Sequence, residues 1–238
     1  MLALDSVKPI PLRALPRLFV PGADPEQEIE LPKPELDKLR KVLRLSPGAQ
    51  VAILPGDGSL IRCELETRTA RPLEILHPET EPPLRLTLAQ ALPKGDKLDE
   101  IVRGCTEIGV SRFILFSSDR TVVRWDERKL ADRLGRLETI AREACEASFR
   151  TKLPTFEVAK GLADVLRSNP EAVVLSEVEG VGRRLRPAGE AMTIVVGPEG
   201  GWASPELKLI GDRGVSLGPR VLRVDHAGAA AAAILLLA

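Results

Sequence analysis

The stretch from Met192 to Glu206, MTIVVGPEGGWASPE, limits the fold more tightly than any other part of the chain. Ile194, Val195 and Val196 form an apolar, β-branched run of the kind found in a strand buried within a sheet. Gly197, Pro198, Gly200 and Gly201 end that run abruptly. A helix start follows: Ser204 suits the N-cap, Pro205 the first helical position, and Glu206 complements the helix dipole. Strand, glycine loop and helix N-terminus in succession make a βα unit whose backbone N–H groups can face a ligand. Glycine lets the main chain approach closely because no Cβ intervenes. Taken alone, the loop is equally compatible with a tight connection that binds nothing.

Elements alternate on both sides of this unit. Leu84–Leu92 reads as a strand, and Gly95–Gly109 as a helix with Leu98, Ile101, Val102, Cys105 and Ile108 on one stripe. Phe113–Phe116 reads as a buried strand, Asp126–Phe149 as a long helix and Glu171–Glu177 as a further strand. Alternating strands and helices predict a largely parallel sheet flanked by helices. Towards the N-terminus the pattern differs. Met1–Pro16 reads as an extended arm, Arg17–Val20 and Glu28–Leu31 as short strands, and Pro34–Arg44 as a helix with Leu36, Leu39, Val42 and Leu43 on one side. Val51–Leu54 and Leu60–Glu66 flank a Pro-Gly-Asp-Gly-Ser turn and predict a hairpin, with Leu73–Leu76 as one more strand. A small β-barrel accounts for these. His77–Pro83, rich in proline and acid, is the linker between an expected N-terminal unit at 1–77 and a C-terminal unit at 84–238.

The 238 residues are 44% hydrophobic and 29% charged, and the charges balance to zero. RNA binding by such a chain requires a local basic patch, and the absence of tyrosine argues against a face of stacked aromatic rings. Cys63, Cys105 and Cys145 are far apart, and His77 and His226 are the only histidines. No metal site is expected, and the sparse cysteines fit a reducing cytoplasm. Neither a signal peptide nor a membrane span is read from the sequence. It contains no P-loop, no HExxH and no GxSxG, and Gly180-Val181-Gly182 lacks the third glycine of a dinucleotide fingerprint.

Two motifs, Gly197–Trp202 (GPEGGW) and Leu217–Arg223 (LGPRVLR), precede an Ala-rich terminal segment. Together they resemble the SPOUT methyltransferases with a deep trefoil knot, and within them the RsmE family, which methylates N3 of a uridine in small-subunit (16S) ribosomal RNA. Lys94–Lys97, Thr106–Val110 and Asp119–Val123 are similar to further family segments, as is Glu146–Arg150, although Ala147 replaces a Gln. Arg17-Leu18-Phe19 and Val42-Leu43-Arg44 resemble motifs of the family's PUA-like N-terminal domain, with Lys38 where His is usual. The resemblance implies an α/β fold: a knotted SPOUT domain plus a small PUA-like β-barrel. It implies S-adenosylmethionine as cofactor, ribosomal RNA in an assembled or partly assembled small-subunit particle as partner, and a homodimer.

Ligands of open α/β sheets bind beyond the carboxyl ends of the strands. Three such ends are candidates for the cofactor site: Leu175, Ser176 and Glu177; Gly197, Pro198, Glu199, Gly200 and Gly201; and Leu217, Gly218, Arg220, Val221 and Leu222. Methyl transfer from a sulfonium needs alignment and stabilisation of the deprotonated uracil, for which Arg120, Arg150, Arg220 and Arg223 are candidates. Asp225 stands where the family has Glu, as proton acceptor or as orienter of an arginine, and His226 where it has Thr, read as a surface or capping residue. Arg17, Lys38, Arg40, Lys41 and Arg44 are candidates for RNA contact, where a charge run alone would be read as a solvated face. Two alternatives stay open: a knotted methyltransferase acting on another base or a ribose 2′-hydroxyl, and an inactive RNA-binding assembly protein. The wholly apolar run from Ala227 must be buried on every side or covered by a second chain.

Overall fold

A computed structural model describes residues 10–123, 125–177 and 183–237. Gly180 and Gly182, the first part of the expected N-terminal arm, and Ala238 lie outside the described residues. The chain divides into two compact units between Thr80 and Glu81.

The first unit is built on a five-stranded sheet in the order β1-β3-β4-β5-β2. Its strands are β1 (Arg17–Phe19), β2 (Ile29–Glu30), β3 (Gln50–Leu54), β4 (Leu60–Leu65) and β5 (Thr69–Leu76). The expected hairpin is β3–β4, with Ile53 opposite Ile61, and β1 pairs parallel to β3. Leu18, Ile53, Ile61 and Leu65 fill the core beneath. The expected helix over Pro34–Arg44 is different in form. Helix α1 covers only Lys33–Asp37, and a π-turn over Lys38–Val42 follows it. There the Leu43 N–H donates to the Lys38 carbonyl at 3.0 Å, five residues back. The wider turn shifts the helical phase. Leu39 stays fully buried, whereas Val42 is 72% exposed and Leu43 43%, so the predicted apolar stripe is broken.

The second unit carries a six-stranded, wholly parallel sheet in the order β11-β9-β10-β6-β7-β8. The strands are β6 (Arg85–Ala91), β7 (Arg112–Phe116), β8 (Thr155–Ala159), β9 (Val173–Leu175), β10 (Ala191–Val196) and β11 (Gly214–Val215). Helices α2 (Lys97–Ile108), α3 (Glu127–Ser148), α4 (Leu162–Ser168), α5 (Ser204–Ile210) and α6 (Val224–Leu236) flank it. Alternate strand residues point to opposite faces. Leu86, Leu88, Phe113, Leu115, Ile194 and Val196 therefore enter one layer, which includes residues of α2, α3 and α6. Ala89, Ala91, Ile114, Phe116, Val174 and Val195 enter the other, with residues of α4 and α5. Apolar side chains on both faces explain why these strands read as continuous hydrophobic runs. Helix α6 comes close to the sheet because residue 228 is glycine: a Cβ there would lie 3.1 Å from Leu88 Cδ2 and 3.4 Å from Cys105 Sγ. No helix among the described residues is long and apolar enough to cross a membrane.

Two short elements with weak sequence signals, β8 and α4, were not expected. Thr155–Ala159 is largely exposed at the sheet edge and has no apolar run, and Leu162–Ser168 is only two turns long. Cys63, Cys105 and Cys145 are free thiols, all buried, and burial pushes each up to about 12.

Arg150 closes this unit. Phe149 ends α3 in the left-handed region, and Arg150 turns inward to 3% exposure. Its Nη1 donates to the carbonyls of Thr106 and Val110 at 2.9 and 2.7 Å, and its Nη2 pairs with Glu81 Oε2 at 2.7 Å. The Glu81 carboxylate also accepts from the backbone N–H groups of Thr151 and Lys152. A buried guanidinium left without its carboxylate is strongly destabilising. Glu81→Ala is expected to lower unfolding stability by about 3 kcal/mol, read as a fall in the urea midpoint without a change in slope.

Candidate functional site

A cavity of about 720 Å³ opens beyond the carboxyl ends of β9, β10 and β11. Three loops form it: Leu175–Glu177 after β9, Gly197–Trp202 after β10, and the segment from Ser216 that leads into α6. The glycine loop is tied to its surroundings in four ways. Trp202 stacks on Phe116, with ring centroids 6.5 Å apart, and its indole N–H donates to the Leu175 carbonyl at 3.1 Å. A Cβ at residue 197 would lie 3.0 Å from the Trp202 ring, so the close approach that requires glycine is made by this tryptophan. Arg120 Nη1 donates to the Gly200 carbonyl at 2.6 Å. Glu199 accepts from the Lys94 N–H at 3.1 Å and from Lys97 Nζ at 2.7 Å.

The helix after the loop begins differently from expectation. The N-cap is Ala203, with Ser204 and Pro205 inside the first turn. Glu206 takes over the capping role: its buried carboxylate accepts from the Ala203 N–H at 2.9 Å, from Ser118 Oγ and from the Asp119 N–H, both at 3.1 Å. One carboxylate thus joins the start of α5 to the loop that carries Arg120. In the third loop Ser216 Oγ donates to the Gly218 carbonyl at 2.9 Å and accepts the Gly218 N–H at 3.0 Å. That tight turn holds Gly218 at φ 143, in the region that favours glycine.

The cavity mixes apolar walls with charge. Leu175, Val196, Leu217 and Leu222 line it together with Lys97, Arg120, Arg220, Arg223, Glu177 and Glu199. Its volume lies in the range of small-molecule sites, roughly 300–1,000 Å³. Partial burial pushes the Glu199 carboxyl up, but hydrogen bonds from Lys97 and the Lys94 N–H outweigh this and hold it below its ordinary value. Desolvation likewise pushes the Asp225 carboxyl up, and its own backbone N–H with the charges of Arg223 and His226 brings it below the usual range. Among the described residues no group of three or more His, Cys, Asp or Glu is arranged to hold a metal ion.

A family model for an RNA methyltransferase domain matches residues 80–236. The ribosomal RNA small subunit methyltransferase E of Synechocystis sp. is 36% identical over 218 residues, covering 84% of this chain and 71% of that protein. This chain belongs to that family. The Bacillus subtilis member is 30% identical over 213 residues, covering 81% of this chain and 83% of its own length. A solved structure of the Neisseria gonorrhoeae enzyme, bound to S-adenosyl methionine, superposes with a TM-score of 0.83 at 29% identity, covering 92% of this chain and 95% of the other.

All thirteen residues expected at the cofactor site line the one cavity: Leu175, Ser176, Glu177, Gly197, Pro198, Glu199, Gly200, Gly201, Leu217, Gly218, Arg220, Val221 and Leu222. Arg120 and Arg223 line it as well. Two expected catalytic residues are placed elsewhere. Arg150 is committed to Glu81 and two backbone carbonyls, so it is corrected to a structural role. Asp225 is not among the lining residues; its Oδ1 lies 3.3 Å from Arg223 Nε and its Oδ2 3.8 Å from the exposed His226. Lys97, Trp202, Ser216 and Pro219 line the cavity without having been singled out, although the Lys94–Lys97, Gly197–Trp202 and Leu217–Arg223 motifs contain all but Ser216. In the first unit, Arg17 donates to the Arg13 carbonyl at 3.0 Å, Arg40 to the Thr67 carbonyl, and Lys41 pairs with Asp37 at 3.1 Å. Lys38 belongs to the π-turn, and Arg44 just beyond it takes a positive φ of 55.

The depressed Glu199 carboxyl gives a signed prediction. Its contribution is fully present above the unfolded value, about 4.3, and is lost as pH falls through the lower folded value. Glu199→Gln is expected to cost about 0.5–1 kcal/mol at neutral pH and nothing once the wild-type carboxyl is protonated. Urea midpoints of the two proteins, compared across the acid range, check this.

Proposed function

We propose that this chain binds S-adenosylmethionine in the cavity and transfers its methyl group to N3 of a uridine in small-subunit ribosomal RNA. The carrying observation is the convergence of the three loops on one cavity in a chain of this family. The solved relative with the same overall fold holds S-adenosyl methionine. The residues suit that ligand. Glu177 and Glu199 offer carboxylates to a cationic sulfonium or ammonium, and Leu175, Leu217 and Leu222 offer apolar walls. S-adenosylmethionine supplies an electrophilic methyl group, so the protein's task is alignment and charge.

Uracil must lose its imide proton before N3 can attack. Arg220 and Arg223, both at the cavity, would stabilise the negative charge that then spreads over the uracil oxygens. Asp225, ionised and paired with Arg223, suits the orienting role better than that of a base, whose pKa should lie near the working pH. Arg120, bonded to the glycine-loop carbonyl, keeps that loop in place.

The reading extends to the whole chain. We assign the first unit, from the N-terminal arm to about residue 77, as a PUA-like barrel module whose Arg17, Lys38, Arg40, Lys41 and Arg44 contact RNA. The segment 84–238 is assigned as the SPOUT domain, with the trefoil knot formed around the cavity loops. A homodimer is supported by α6, which exposes Ile234 at 37% and is followed by Leu237 at 68%.

The purified chain, given methyl-labelled S-adenosylmethionine and small-subunit particles lacking the modification, is expected to label the RNA at uridine N3. Label at another base or at a ribose would select a different transferase, and cofactor binding without transfer an assembly protein. Arg223→Ala is expected to slow transfer about 10²-fold with cofactor affinity retained. Gly200→Val is expected to weaken cofactor binding at least about tenfold by calorimetry, about 1.4 kcal/mol. Its urea midpoint should stay near wild type, because a Cβ there meets only Arg120, at 3.4 Å. Sedimentation at micromolar concentration should give a dimer of the 25.8 kDa chain; a fully active monomer refutes the dimer.

A further inference from the structure

The opposite end of the same sheet carries a second cavity, of about 820 Å³, beyond the amino ends of its strands. Its described lining residues include four arginines, Arg112, Arg183, Arg184 and Arg186, and a single carboxylate, Glu171. In a chain of zero net charge this is a concentrated positive field. Arg112 is neutralised by Glu157, with Nε 2.9 Å from Oε1. Arg183, Arg184 and Arg186 are exposed and form no ion pair among the described residues.

These three are held in place by an ordered backbone. The Ser216 N–H donates to the Arg183 carbonyl at 2.9 Å, and the Leu185 N–H to the Ser216 carbonyl at 3.2 Å. Leu185, 6% exposed, is anchored in the core. Residues alternate across an extended segment, so burying Leu185 turns Arg184 and Arg186 to the opposite side, outward. An array of guanidinium groups with no ion pair among the described residues, carried on a bonded backbone, matches a row of phosphates, which guanidinium binds bidentately.

We infer that Arg183, Arg184 and Arg186, which lie outside the lining of the methyl-transfer cavity but are tied by backbone to its Ser216, form a second contact surface for the phosphate backbone of ribosomal RNA. This rests on the reading under Proposed function. Strand β10 joins the two places: Met192 lines the arginine cavity and Val196 the other. The four residue steps between them span roughly 13 Å, so a folded RNA reaches both ends and a single nucleotide does not. A membrane is a poorer match, because surface-binding segments pair basic residues with large apolar ones. No large exposed hydrophobic side chain occurs among residues 183–193.

The test is the full-length triple variant Arg183→Ala/Arg184→Ala/Arg186→Ala beside wild type and the triple Lys variant. The probe is small-subunit ribosomal RNA, titrated by filter binding over a range of salt. The expected result is RNA affinity at least about tenfold weaker for the Ala variant, and a salt dependence shallower by about 2 in the log–log slope. The Lys variant should keep most of the slope, and S-adenosylmethionine affinity should be unchanged in both. Unchanged RNA affinity and slope in a folded Ala variant overturn the inference, as does loss of binding to anionic phospholipid vesicles with RNA binding intact. If wild type itself fails to bind the RNA, the proposed function falls first and this surface with it. If Ala substitution lowers the urea midpoint, Arg184→Glu alone supplies the same reading of affinity and slope.

Discussion

Burial of β6 and β10 on both faces is the constraint from which the rest of the second unit follows. Their residues alternate between two apolar layers, Leu88 and Ile194 to one side, Ala89 and Val195 to the other. A sheet covered on both sides by helices, with every pairing parallel, returns the chain each time through a crossover. The loops that leave the strands at their carboxyl ends are therefore gathered at one rim. Gly228 completes the enclosure, since only a residue without a Cβ lets α6 settle against Leu88 at that distance.

Gathering loops does not by itself fix their shape. Irregular backbone has few ladder bonds to restrain it, and here side chains supply the restraint. Trp202 joins the glycine loop to β9, Glu199 joins it to the start of α2, and Glu206 joins α5 to the loop after β7. Each brace connects segments distant in sequence, so the cavity is preorganised by the fold as a whole. Such an arrangement gives a binding site its geometry before any ligand arrives, which is what an alignment-dependent transfer requires.

Much of this was legible in the sequence where one residue's chemistry decided its environment. Ile194–Val196 had to be a buried strand, and the two glycine-containing motifs had to be turns. The hairpin from Gln50 to Leu65 was equally plain from its turn and its flanking runs. Positions decided by distant partners were not legible. Ser204 has the right chemistry for an N-cap, but Glu206 accepts the Ala203 N–H at the helix start, and its carboxylate is held by donors from Ser118 and Asp119, which lie far away in sequence. Arg150 looked like a free cation because nothing near it in sequence announces that Glu81 and two carbonyls surround it. The π-turn after Asp37 adds a residue to one turn, a local change that a fixed helical period cannot register.

The three thiols give the molecule a built-in clock. Each is buried, and its pKa of about 12 leaves almost no thiolate at neutral pH. Reaction with an alkylating reagent therefore waits on an opening of the surrounding structure. Cys63 sits in β4 of the first unit, while Cys105 in α2 and Cys145 in α3 sit in the second. Their separate modification rates time the breathing of each unit independently, without a label having to be introduced anywhere in the chain.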